Sequence, residues 1–166
     1  FDPRAVAARV RPDWYRCQLG REDLTAGGVQ WAPLDYATIE SPDVEGHAEW
    51  TFSRAGISDG LAIWFDGDFG FGVAFSSSPL APRTLYGQAF FPFERPLHAN
   101  AGDRLTVQLS ANCVSGEYIW GWNSTLTGNA PEAKPVSFRQ STLASHIVSL
   151  ERLRELSLAE RAEARG

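Results

Sequence analysis

Arg104-Leu105-Thr106-Val107-Gln108-Leu109-Ser110-Ala111 carries an apolar side chain at every second position. Successive side chains of an extended chain point to opposite faces, so this period of two predicts a strand. Leu105, Val107 and Leu109 should face a core, and Thr106, Gln108 and Ser110 should face water. The turn signal Asn100-Ala101-Gly102-Asp103 precedes it, and Ser115-Gly116 follows it.

Similar segments lie on both sides. Downstream, Glu117 to Asn123 puts Tyr118, Trp120 and Trp122 on one face, and a shorter strand is expected near Val136 to Arg139. Upstream, Gln88 to Phe93 reads as a strand that Pro96 ends or confines to an edge. Leu61 to Phe65 is almost wholly apolar, as in a strand buried on both faces. Asp66-Gly67-Asp68 then supplies a hairpin turn leading to a return strand over Phe69 to Phe75. Ala55 to Gly60 is rich in turn residues and reads as a connector. His47 to Arg54 alternates Ala48, Trp50 and Phe52 with polar neighbours, and Leu34 to Ile39 alternates in the same way until Ser41-Pro42-Asp43 breaks it. About seven short strands at this spacing predict an all-β domain, an antiparallel β-barrel or barrel-like sandwich.

The two ends differ from the middle. Ala5, Val6, Ala8 and Val10 fit a short helix closed by Pro12. After Ser141, Leu150, Leu153 and Leu156 recur at helical spacing among Glu and Arg, which predicts a C-terminal helical tail. Ser157 with Glu160 matches a capping box, so this tail is expected to break there and restart, fraying over Glu160 to Gly166. The organisation expected is a lead-in segment over 1–33, the β domain over 34–140 and the tail over 141–166.

Composition narrows the function. The 166 residues, 43% hydrophobic and 21% charged, suit one domain with one core, and six Trp and ten Phe supply its bulk. A net charge of −5, with Lys134 as the sole lysine, opposes nonspecific nucleic-acid binding, which needs surplus cations to displace phosphate counterions. No apolar run approaches the roughly 20 residues of a membrane-spanning helix, and no secretory pattern opens the chain. A cytoplasmic location is therefore expected, with no membrane partner and with Cys17 and Cys113 as reduced, buried thiols. The chain has no methionine and opens at Phe1, which reads as a fragment of a longer product.

Catalytic signatures are absent from the residues themselves. Gly70 and Gly72 fall within a strand pair and form neither a dinucleotide fingerprint nor a P-loop. His47, His98 and His146 stand far apart without metal-ligand spacing, and Asp66 with Asp68 is explained by a turn. No G-x-S-x-G elbow marks a hydrolase. No catalytic, cofactor-binding or metal-binding residue is expected. Tyr118, Trp120 and Trp122 have two readings, as core or as a stacking platform for a carbohydrate ligand.

Three segments in order carry a resemblance: Gly60-Leu61-Ala62-Ile63-Trp64-Phe65-Asp66, Phe75-Ser76-Ser77-Ser78-Pro79, and Pro82-Arg83-Thr84-Leu85-Tyr86-Gly87-Gln88. Together they resemble the C-terminal β-barrel of the protein arginine methyltransferases. There an apolar hairpin strand leads to a Ser-Thr-x-Pro loop and a Thr-His-Trp-x-Gln segment. Phe90-Phe91, Pro96-Leu97 and Ala101-Gly102-Asp103 continue the likeness, which spans roughly 24–123. Glu22-Asp23-Leu24, Trp31, Leu34-Asp35-Tyr36 and the tail around Phe138 to Thr142 and Leu150 to Leu153 are similar to bacterial relatives.

The resemblance implies the substrate-side half of an enzyme whose S-adenosylmethionine site and two catalytic glutamates belong to a preceding Rossmann-like domain. Such a half binds no cofactor and transfers no methyl group by itself. Its implied partners are that domain and a protein or peptide substrate, and the surface where the halves meet would otherwise drive self-association. Ser78, Pro79, Arg83, Thr84 and Tyr86 are the implied substrate-side rim. At Leu85 the sequence departs from the family, whose histidine helps pair the active-site carboxylates; leucine neither hydrogen-bonds nor carries charge. Either a different nucleophile is methylated or the parent is inactive. The stretch from Phe1 to Gly28 is too short for the family's dimerisation arm, so pairing by that route is not expected.

Overall fold

The computed structural model describes residues 13–130, 132–143 and 150–163. Its elements are β1 (Tyr15–Cys17), β2 (Val44–Thr51), β3 (Gly56–Ile63), β4 (Asp66–Asp68), β5 (Ala74–Ser76), β6 (Gln88–Ala99), β7 (Arg104–Val114), β8 (Glu117–Thr127), β9 (Val136–Ser141) and the helix α1 (Leu150–Glu163). Strand pairing is antiparallel throughout, in a three-stranded sheet β1-β6-β3, a four-stranded sheet β2-β7-β8-β9 and the hairpin β4-β5. The class is all-β with one short helix.

The alternation of β7 explains the larger sheet. Leu105, Val107, Leu109 and Ala111 are buried, and their cross-strand partners continue the inner face: Val107 lies between Ala48 and Ser124, and Leu109 between Gly46 and Trp122. Phe91, Phe93, Leu97 and Ala99 of β6 supply the opposing layer of the same core. Burying each such Leu or Phe contributes roughly 1.5–3 kcal/mol, which is why a strand register that buries one whole face is strongly specified. Phe91 meets Trp122 edge-on with ring centroids 5.3 Å apart, and Phe93 stacks on Phe138 at 6.1 Å.

The two sheets form a sandwich, and among the described residues no ladder closes them into a barrel. Between β6 and β9 side chains take the place of a ladder. Gln140 Nε2 donates to Pro92 O at 3.0 Å, Glu94 N donates to Gln140 Oε1 at 3.2 Å, and Trp122 Nε1 reaches the same Pro92 carbonyl at 3.3 Å. β6 continues through Pro92 and Pro96 to Ala99 rather than stopping at Pro96. Over these residues its one ladder partner is β3, so a missing N–H is tolerated on the open side.

Other departures from the sequence expectation have local causes. Leu34 to Ile39 is a turn, not a strand. Asp35 Oδ1 accepts from Ala37 N at 2.9 Å, and its backbone carbonyl accepts from Thr38 N and Ile39 N, so the side chain offers the backbone an alternative to a ladder. β3 starts at Gly56, inside the expected connector, and ends at Ile63. Asp66-Gly67-Asp68 is itself a strand, and the turn falls later, where Gly70, Phe71 and Gly72 all have positive φ of 77°, 53° and 78°. The helix passes through Ser157 without a break, and the Ser157 hydroxyl bonds to that of Ser115 instead of starting a new helix. The helix expected over Ala5 to Val10 and the fraying expected over 164–166 lie outside the described residues.

Two predictions follow from buried polar groups. Ser124 Oγ is buried between Val107 and Phe138 with no hydrogen-bond partner among the described residues. Removing it in Ser124→Ala should raise unfolding stability by about 1 kcal/mol, read from urea denaturation. Asp103 holds the β6–β7 turn: its carboxylate accepts from Asn100 N at 2.7 Å and Asn129 N at 2.9 Å, and these bonds lower its pKa. A carboxyl with a depressed folded pKa stabilises the fold above its ordinary value of about 3.9 and loses that contribution as pH falls through the folded value. Asp103→Asn should therefore lower the thermal midpoint at neutral pH, with the gap closing at acid pH.

Candidate functional site

Between β5 and β6 the chain makes two linked turns. In the first, Ser77 N donates to Phe65 O at 3.0 Å and Phe65 N donates to Ser77 Oγ at 3.2 Å, which fastens the start of the loop beside the hairpin. Ser78 Oγ accepts from Leu80 N at 3.1 Å, and Ser78 O accepts from Ala81 N at 3.0 Å. Pro79 follows Ser78 where a fixed φ favours such a turn, and its ring is buried. The hydroxyl of Ser78 is thus engaged inside its own turn.

The second turn presents side chains. Tyr86 N donates to Thr84 Oγ1 at 3.3 Å. Leu85 is 92% exposed and Tyr86 60% exposed. The Tyr86 ring stands edge-on to Phe65 at 5.8 Å and to Phe75 at 5.4 Å, while those two rings stack at 5.4 Å. Edge-to-face packing matches the positive ring edge to the negative ring face and fixes the direction of the tyrosine. Beside it, an open cleft of about 660 Å³ is lined by Asp66, Asp68, Phe71 and Phe75 among others. Of the expected rim residues, Thr84 and Tyr86 share one turn and Ser78 and Pro79 form the neighbouring one. Arg83 is exposed, with no hydrogen bond or ion pair to the described residues.

Gln88 joins the two turns to the start of the chain. Its buried amide donates to Ser77 O at 2.6 Å and accepts from Leu19 N at 2.8 Å. Arg16 adds a bond from Nε to Tyr86 O at 2.7 Å and another from its guanidinium to Leu85 O, and Gln18 Nε2 donates to Thr84 O at 3.0 Å. Gly87, at φ 64°, admits no side chain, since a Cβ would sit 2.4 Å from Cys17 O. Cys17 is half-buried, and burial followed by the charge of Asp23 raises its thiol pKa. Neither cysteine is disulfide-bonded. The sequence reading missed Arg16 and Gln18, whose partners lie 66 to 70 positions away.

The tryptophans do not form an exposed platform. Trp122 is fully buried, Trp50 donates its indole N–H to Gly27 O at 2.8 Å, and Trp120 packs against Phe91 and Trp31. Trp64 is half-buried, and Tyr118 is exposed with its hydroxyl donating to Pro42 O at 3.1 Å. The Tyr118-Trp120-Trp122 face therefore runs from the surface into the core. His47 and His98 are exposed on different sheets, and His146 lies outside the described residues. Among the described residues no group of three or more His, Cys, Asp or Glu side chains could hold a metal, and no helix is long and apolar enough to cross a membrane.

Fold and site together define an antiparallel β domain with an aromatic rim loop. No family model matches the chain. Part of it is similar to an arginine N(omega)-methyltransferase of Streptomyces achromogenes subsp. streptozoticus, at 34% identity over 59 residues, which is 36% of this chain. The matched stretch spans 16% of that relative's length.

Gln88→Ala should leave Leu19 N and Ser77 O without their partner. An unfolding free energy lower by about 2 kcal/mol is expected, since a buried group left unsatisfied costs about 1–3 kcal/mol. Limited proteolysis should show faster cleavage within 77–87.

Proposed function

We propose that this chain is the substrate-side β domain of a protein arginine methyltransferase-like, S-adenosylmethionine-dependent enzyme, silent in methyl transfer until joined to a cofactor-binding lobe. The observation that carries this reading is the rim turn from Thr84 to Gly87, with Tyr86 braced by Phe65 and Phe75 and Leu85 projecting beside it. The partial similarity to an arginine methyltransferase supports it. In this reading Ser78, Pro79, Arg83, Thr84 and Tyr86 wall the methyl acceptor on one side, and the other wall belongs to the partner lobe.

The chemistry of this wall is exclusion and orientation. Leu85 and Tyr86 present apolar surface without a carboxylate, so the rim desolvates an acceptor and restricts its approach but takes no proton from it. A neutral Leu85 in place of the family's histidine leaves the partner lobe's carboxylates unpaired from this side, which favours an acceptor other than a peptide arginine. S-adenosylmethionine supplies the methyl group. It does not fit this chain: among the described residues the strands are antiparallel, with no strand, Gly-rich turn and helix unit to receive it. Self-association of the isolated domain follows from the same exposed rim.

The test is coexpression with the lobe encoded upstream and a methyl-transfer assay. Tyr86→Ala should lower kcat/KM for the acceptor by about tenfold, the scale expected when an orienting contact is lost near the reacting group. An unchanged rate would overturn the rim assignment.

A further inference from the structure

Residues 84–87 belong to no ladder, yet three successive carbonyls, those of Thr84, Leu85 and Tyr86, are captured by two side chains, Arg16 of β1 and Gln18 just past its end. Arg16 holds two of these carbonyls and Gln18, one residue past β1, holds the third, so both side chains reach the same turn. The arginine fork is planar, with its donors in fixed relative positions, so two carbonyls bonded to it are fixed relative to each other.

β1 has backbone pairing of its own, with β6 through Tyr15–Phe90, Arg16–Ala89 and Cys17–Gln88. The rim turn has no comparable backbone support of its own. Apart from the Thr84 hydroxyl, the side-chain bonds to its backbone among the described residues come from Arg16 and Gln18. The Phe65–Phe75 pair braces the tyrosine ring.

We infer that Arg16, seconded by Gln18, is the positioning residue of the rim, setting where Leu85 and Tyr86 stand without touching the methyl acceptor itself. This rests on the proposed role of the rim.

Amide hydrogen exchange on the full chain tests the positioning directly. Arg16→Ala should speed exchange at the Tyr86 amide, which is bonded to Thr84 Oγ1 within the turn that Arg16 holds, about tenfold, while the β7–β8 amides stay at wild-type rates. Arg16→Lys keeps the charge but not the planar pair of donors, and should fall between the two. Unchanged exchange in Arg16→Ala, or full rescue by lysine, would overturn the inference. In the two-lobe enzyme, Arg16→Ala should raise the acceptor KM about tenfold and leave the KM for S-adenosylmethionine unchanged. An unmoved acceptor KM also overturns it. If the wild-type two-lobe enzyme transfers no methyl group, the proposed function fails, and the exchange data alone decide whether Arg16 positions the turn.

Discussion

The burial of Phe91 is the contact on which the rest of the structure depends. Its ring is wholly enclosed, 5.0 Å from Trp120 and 5.3 Å from Trp122 on the facing sheet, with Trp14 at 6.2 Å. One side chain therefore joins both layers and the first described strand's neighbourhood. Aromatic pairs add about 0.5–1.5 kcal/mol each beyond the area they bury. Because side chains alternate along β6, fixing Phe91 inward also fixes Phe93 inward, and the next carbonyl, that of Pro92, is where Gln140 and Trp122 donate. Inter-sheet packing and inter-sheet hydrogen bonding are thus set by one register.

The same strand determines where the rim lies. β6 begins at Gln88, and the buried amide there fixes the end of the loop against Ser77 and Leu19. Displacing β6 by one residue would expose Phe91 and withdraw Gln88 from both partners. The rim is therefore an extension of the core rather than a separate loop, and its geometry inherits the precision of the sandwich.

How much of this was legible depends on what kind of signal each feature leaves. β7 and β8 were plain because one buried face imposes period two over many residues. Leu34 to Ile39 shows the same alternation and is a turn, because the Asp35 carboxylate captures nearby backbone and side-chain donors; pattern carries no record of that competition. The hairpin turn was placed early because Asp66-Gly67 is a strong turn dipeptide, whereas Gly70 and Gly72 flank a phenylalanine that a sequence reading would not put at positive φ. Ser157 matched a cap, but the helix continued and its hydroxyl found Ser115. Thr84 and Tyr86 came from family resemblance, not from periodicity. Arg16 left no readable signal, since the carbonyl it holds lies 70 positions away.

The distribution of exposed apolar groups gives the rim its direction. Phe65, Phe69, Phe71, Val73, Leu80, Leu85 and Tyr86 are all exposed within one stretch of 22 residues, from 65 to 86. Nine further large apolar side chains are exposed outside this stretch among the described residues, Tyr36 the most at 87%, but these seven are the largest group in any stretch of that length. Phe71 makes the contrast sharpest: the chain holds a large apolar ring in water on a left-handed backbone, where L-residues are disfavoured. Neither the exposure nor the conformation contributes to the sandwich core, so both are costs that this domain carries without benefit to its own stability. A surface with that property is accounted for when it is covered, and the turn that Arg16 and Gln88 hold in place stands in the same stretch.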